Sequence, residues 1–284
     1  MATPPAFSDI AKAASDVLNK DFYHTNPASL EVKSVAPNNV TFTVKGKSSH
    51  EGTTAGSLEA KYVDAPNGLS VTQGWTTSNS LDTKIELDNN IAKGLKAELL
   101  TQYLPASQAK GAKLNLHFKQ PHVHTRAFFD LLKGPTASLD FVLGHEGIVA
   151  GAEGAYDVQK AAVTRYSAAL GYISPQYSAA VTASNNLTLF TASYYHRVNS
   201  QVEAAAKATW DSKAGSNVGL EVAAKYRLDP SSFAKAKIND RGIVGVAYNV
   251  LLRPGVTLGL GASFDSQNAN QAAHKVGASF TFEG

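Results

Sequence analysis

Two hydrophobic periods divide the chain. Up to about residue 20, Phe7, Ile10, Ala11, Ala14, Val17 and Leu18 recur at helical spacing and make one apolar stripe. Asp9, Lys12, Asp16 and Lys20 fall mainly on the opposite side, with Asp16 four residues before Lys20 in the supportive order. Pro4 and Pro5 suit a helix start and not a helix interior. The pattern predicts an amphipathic helical segment within residues 1–25. That segment could dock on a domain core, lie on a membrane surface or sit inside a barrel.

From about residue 28 the period becomes two. Val40, Phe42 and Val44 alternate with Thr41, Thr43 and Lys45, and Ala112, Leu114, Leu116 and Phe118 alternate with Lys113, Asn115, His117 and Lys119. Val218, Leu220 and Val222, then Val276, Ala278, Phe280 and Phe282, repeat the alternation farther on. Each such strand has one apolar face and one small, polar or charged face. Pro37-Asn38-Asn39, Pro66-Asn67-Gly68, Asp88-Asn89-Asn90, Ser184-Asn185-Asn186, Asp211-Ser212-Lys213 and Asn239-Asp240-Arg241-Gly242 supply turns. The runs between them leave no room for helical crossovers, so neighbouring strands pair antiparallel through hairpins. Residues 26–284 are therefore expected to be one sheet-built body without a linker.

The two faces decide its surroundings. A soluble barrel of this length would hide its apolar face and need bulky side chains, or a large apolar ligand, to fill the interior. Here the apolar positions include runs of small residues such as Val202, Ala204, Ala206 and Ala208, which lipid covers without matched packing. Several strands reach about ten residues, the length a tilted membrane strand needs. Because lipid offers backbone groups no partner, the sheet must close into a barrel. A soluble two-sheet sandwich is the competing architecture. Tyr62, Trp75, Tyr103, Tyr156, Tyr172, Trp210 and Tyr226 are expected near strand ends, where interfacial girdles lie.

Composition agrees with this picture. Charged residues make up 17% of the 284, below the usual quarter, yet no apolar run of about 20 exists to form a membrane helix. Cys is absent, which excludes disulfides and thiolate metal sites. A net charge of +3 without a basic run excludes nucleic acid as a partner. The start Met1-Ala2-Thr3-Pro4-Pro5 lacks the basic flank and apolar core of a secretory signal. Unless a leader has been removed, that favours insertion from the cytosolic side of a eukaryotic organelle.

Candidate chemistry is sparse. Gly144-His145-Glu146-Gly147 and Gly151-Ala152-Glu153-Gly154 lack the features of a phosphate loop, and their glycines are expected to ease twist or mark a bulge. His122 and His124 are expected to share a strand face with Arg126, without further ligands at metal spacing. No Ser, His and acid grouping can be assembled, so neither catalysis nor a metal or cofactor is expected. The informative set is the charge on the polar faces. Lys45, Lys61, Lys96, Lys113, Lys119 and Arg126 are among its cations, offset by acids such as Glu59 and Glu98. On a water-filled lumen this positive excess would favour anions weakly, without stripping their hydration.

Over its whole length the sequence resembles the mitochondrial porins of eukaryotes, the voltage-dependent anion channels, and looks most like the fungal members. Tyr226, Asp229, Pro230, Ser232, Ala236, Lys237, Ile238, Asn239, Asp240, Gly245, Val246 and Tyr248 match the family's C-terminal signature. Gly94-Leu95-Lys96 matches a family motif associated with nucleotide contact. The resemblance implies an all-β, transmembrane antiparallel barrel of about 19 strands, its first and last strands parallel, with the amphipathic helix in the lumen. Residues 28 to 284 leave about 13 or 14 per strand and turn, compatible with that count. It further implies a voltage-gated, weakly anion-selective pore in the mitochondrial outer membrane. ATP, ADP, phosphate and small hydrophilic metabolites would pass through it. Lipid surrounds such a barrel, and copies could associate. On matching positions, Lys12, Lys20, Lys96 and Lys113 are candidates for nucleotide and anion contact.

Two departures stand out. Many animal members carry a glycine-rich hinge after the helix, where this chain has Asp21-Phe22-Tyr23-His24. Some animal members have a lipid-facing Glu where this chain has Gln73, which is less costly to bury. The nearest rival is the related import channel for precursor proteins, which would need N-terminal extensions that this chain lacks. A soluble lipid-carrying barrel is the rival from another class, and only the membrane form would need detergent for extraction.

Overall fold

The computed structural model describes all residues except 1–2, 133, 135, 216–217 and 268–273. A short helical segment comes first: a 3-10 turn at Phe7–Asp9, the helix α1 at Lys12–Asn19, and a second 3-10 turn at Tyr23–Thr25. The expected single helix is thus interrupted at Ala11, whose φ of -98° and ψ of 14° leave the helical region. The break lets the first turn pack on one part of the wall and α1 on another.

Strands follow without a crossover. β1 to β7 are Ala28–Val35, Val40–Ser48, Thr54–Asp64, Leu69–Thr76, Leu81–Asp88, Leu95–Leu104 and Ala109–Gln120. β8 to β13 are Val123–Asp130, Thr136–His145, Ile148–Asp157, Ala162–Ile173, Tyr177–Ser184 and Leu189–Arg197. β14 to β19 are Val202–Asp211, Val218–Asp229, Ser232–Asn239, Ile243–Arg253, Val256–Asp265 and Lys275–Glu283. They form one 19-stranded sheet in which each strand pairs with its neighbours in sequence. The ring is closed by β1 against β19, running parallel from Ala28↔Ala278 to Lys33↔Glu283. An up-and-down ring with an odd number of strands must place two parallel strands side by side, and every edge is paired.

Register fixes which side chains face inward. Val142, Val149, Ala169, Ala180, Ala205 and Ala223 pack against the N-terminal segment and so lie on the inner face. Their alternates, including Phe141, Leu143, Leu170, Val181, Ala206 and Val222, face outward. Phe42, Val44, Leu58, Leu99, Leu220 and Phe280 continue this exposed apolar surface around the barrel. Among the described residues no helix is long and apolar enough to cross a membrane.

The seven predicted girdle aromatics all lie near strand ends and are exposed. Trp75, Tyr103, Tyr156 and Trp210 sit towards the rim where the chain enters β1. Tyr62, Tyr172 and Tyr226 sit towards the opposite rim. That arrangement marks the two interfaces of an apolar band.

Candidate conduction path and the lodged N-terminal segment

The segment runs around the inner wall rather than along the axis. Pro4 packs by Gly144 on β9, Phe7 by Gly151 on β10, and Ile10 by Gly171 on β11. Ile10 joins Val142, Val149, Ala169 and Ala180 in one buried cluster; Ala14, Val17 and Leu18 join Ala205 and Ala223 in another. The apolar stripe therefore faces the wall and leaves the polar stripe in the lumen. Tyr23 crosses Gly259 and Gly277, where a Cβ on either glycine would overlap it. Its hydroxyl accepts a hydrogen bond from Asn249 Nδ2 at 2.6 Å.

These contacts correct the expectation for two glycines. Gly144 and Gly151 lie beneath the segment, where an added Cβ would come within 2.8 Å of Pro4 and 3.0 Å of Phe7. Close approach explains them, a signal that strand periodicity does not carry. His122 is likewise displaced from the expectation. It occupies the β7–β8 turn at φ 74°, so it does not share a strand face with His124 and Arg126. His124 is buried, with Nδ1 3.2 Å from the Pro4 carbonyl.

The segment end that replaces a glycine hinge is well anchored. Asp21 takes a left-handed φ of 60°, a conformation that short polar side chains tolerate. Burial pushes the Tyr23 phenol above its ordinary pKa, with a further rise from Asp21. Burial, then the positive charges of Lys237 and Lys275 and the nearby His50, lowers the His24 pKa. His50 Nε2 in turn lies 2.8 Å from the His24 carbonyl.

The sequence-predicted cations are spread over the lumen rather than gathered. Lys12 pairs with Asp16 at 3.3 Å on the segment itself. Lys20 lines a cavity of about 270 Å³ with Asp16, Tyr195, Glu203 and Lys225, a set containing neither Lys96 nor Lys113. Lys96 lies on β6 between Glu86 at 2.6 Å and Glu98 at 2.7 Å, while Lys84 reaches the same two carboxylates. That tetrad is charge-balanced, so Lys96 presents little free charge to a passing anion. Arg126 is similarly neutralised by Asp140, to which its Nε donates at 3.1 and 2.9 Å and its terminal nitrogen at 2.7 Å. Lys45 pairs with Glu31 at 3.4 Å. Lys113 and Lys119 on β7, with Lys61 and Glu59 on β3, face inward by register and make no ion pair among the described residues.

The signature residues have local work. Asp229 accepts hydrogen bonds from the backbone and hydroxyl of Ser231 and from the Ser232 hydroxyl, beside Pro230 in the β15–β16 turn. Asn239 Oδ1 accepts from the Arg241 and Ile243 amides at the next turn. Gly245 leaves room for the Lys237 side chain, which a Cβ would approach to 3.1 Å. Tyr226 belongs to the outer girdle. Gln73 faces lipid, and its amide is satisfied on the sheet: it donates to the Asp82 carbonyl at 3.3 Å and accepts from the Thr83 hydroxyl at 2.8 Å.

A closed strand ring with apolar residues outside and charged residues around an open interior defines a membrane diffusion pore, not a catalyst. The chain belongs to the eukaryotic porin family, whose model matches residues 3–277. It is 66% identical to the mitochondrial outer membrane protein porin of Neurospora crassa over 98% of this chain and 99% of that protein. It is 44% identical to the non-selective voltage-gated ion channel 1 of Saccharomyces cerevisiae, over 99% of each. A variant of the Rh. blastica porin superposes with a TM-score of 0.51, covering 84% of this chain and 97% of that one. At 11% identity that likeness concerns the fold alone. As a member of this family the chain is a porin of the mitochondrial outer membrane, in contact with lipid and open to small solutes.

Proposed function

We propose that this porin is a voltage-gated, weakly anion-selective pore for ATP, ADP, phosphate and other small hydrophilic metabolites. The observation that carries the selectivity is the imbalance of free charge in the lumen. Glu86, Glu98, Asp140, Glu153, Glu221 and Glu31 are held in ion pairs; among the described residues Lys61, Lys113, Lys119 and Lys20 make none, against the unpaired acids Glu59 and Glu203, which leaves a small positive excess among these groups. A wide wet path so lined raises the local concentration of anions without binding them tightly. Nucleotide contact is then distributed over Lys20, Lys113 and the helix face carrying Lys12, with Lys96 contributing only when its carboxylate pairs loosen. The yeast relative, a non-selective voltage-gated ion channel by name, supports the gating part and not the selectivity. In that reading residues 1–25 form the element that responds and residues 26–284 form the fixed wall. One charge moved through the full field is worth about 2.3 kcal/mol per 100 mV, so a few effective charges suffice at tens of millivolts.

The test is charge reversal. Lys20→Glu with Lys113→Glu should move the reversal potential in a salt gradient towards cations. An unchanged reversal potential in that double variant would show that these lysines do not govern selectivity.

A further inference from the structure

Two lysines of the wall serve the segment rather than the solute. Lys235 and Lys237 stand two apart on β16 and therefore share the inner face. Lys235 is only 3% exposed. Its Nζ donates to the Asp16 carbonyl at 2.8 Å and to the Lys20 carbonyl at 2.6 Å. Lys237 Nζ donates to the Leu18 carbonyl at 3.1 Å and to Glu221 at 3.3 Å. Both ammonium groups also lie against the ring of Phe22, at 5.0 and 4.7 Å from its centroid.

The chemistry explains the arrangement. The last carbonyls of a helix mostly lack intrahelical donors and carry partial negative charge, and an ammonium offers three donors of complementary sign. The Asp16 carbonyl also accepts the Lys20 amide at 3.2 Å, so Lys235 adds a second donor there. α1 has eight residues, too few to be stable alone in water, so contacts with the wall must hold it. The apolar stripe supplies one part of that hold, and alternation alone gives no reason for a buried and a half-buried cation beside it. Lys225 and Lys207, which are also inward-facing, touch no helix carbonyl among the described contacts.

We propose that Lys235 and Lys237 are positioning residues: a two-point clamp on the C-terminal end of α1 that sets how readily the segment leaves the wall. The clamp concerns how the segment is held and stands whether or not the pore prefers anions.

The absence of Cys makes the test direct. Ala14→Cys, buried at the wall, is introduced into the full chain and refolded in detergent, and its reaction with a water-soluble maleimide is timed. Lys235→Met with Lys237→Met keeps the apolar stems but removes the donors, and should speed labelling on the order of tenfold, as loss of charged hydrogen bonds implies. In a planar bilayer the same double variant should close at lower voltage. Lys235→Arg with Lys237→Met should restore much of the protection, because guanidinium keeps several donors. If the double variant does not refold, Lys235→Met and Lys237→Met singly should each give a smaller acceleration. Labelling unchanged from the parent would overturn the clamp, as would an acceleration that Lys235→Arg fails to reverse.

Discussion

Ala28 lies beside Ala278 on strands that run in the same direction, and both side chains face lipid. This one pairing closes the ring and ties the register of the first strand to that of the last. A slip of one residue would turn every side chain of a strand to the other face. The side of each residue is therefore a sharp consequence of closure. Cysteines at Val40, Phe42 and Val44 of β2 should react slowly with water-soluble thiol reagents, and those at Thr41, Thr43 and Lys45 quickly. Reversed labelling would mean the polar face meets something other than a water-filled lumen.

The pair formed by Arg126 and Asp140 is the most enclosed ion pair of the wall, with the Asp140 side chain 3% exposed. Removing one partner strands the other charge. Asp140→Ala should destabilise the refolded barrel by about 3 kcal/mol, read from urea unfolding in detergent, while Lys45→Ala should cost under about 1 kcal/mol. Equal effects would show that enclosure does not govern these pairs.

Gly259 has no room for a side chain beneath Tyr23. Gly259→Val should displace that end of the segment at a cost of about 1–3 kcal/mol, with faster tryptic cleavage after Lys20. Gly219→Ala is the matched control, since its added Cβ would meet nothing closer than 3.8 Å. Equal cleavage rates for the two variants would contradict the close approach.

His24 gives the docked segment a pH dependence. Its pKa is lowered in the folded chain, so below about pH 6.5 the unfolded state binds more protons and folding loses stability as pH falls. The stability is present above the unfolded pKa and declines down through the folded one. Its Nδ1 has no hydrogen-bond partner among the described residues, so protonation would add an unpaired donor there. Comparing unfolding midpoints at pH 7.5 and 5.0, the parent should lose more than His24→Gln, by at most about 1.4 kcal/mol per pH unit. Parallel pH profiles for the two chains would remove His24 from the account.

Much of this architecture could be read from alternation. Val40 to Lys45, Ala112 to Lys119 and Val276 to Glu283 each show their faces because lipid and water lie on opposite sides of one strand. The break at Ala11 was hidden, because an amphipathic stripe does not report the curvature of the wall it must follow. The packing role of Gly144 and Gly151, and the turn position of His122, depend on which distant residues arrive beside them. The same holds for Lys235: parity points it inward, but only closure brings it under the carbonyls of Asp16 and Lys20. Lys96 shows the reverse limit, since its motif is visible while Glu86 and Glu98, which occupy it, come from strand pairing.

The most direct test of the whole account is the reversal potential of the purified chain in a planar bilayer under a salt gradient. A water-filled lumen with excess free lysine predicts a large conductance with mild anion preference. That preference should fade as salt rises, because screening shortens the reach of wall charge from about 10 Å at 0.1 M to about 3 Å at 1 M. Cation preference, or a selectivity indifferent to salt, would contradict it.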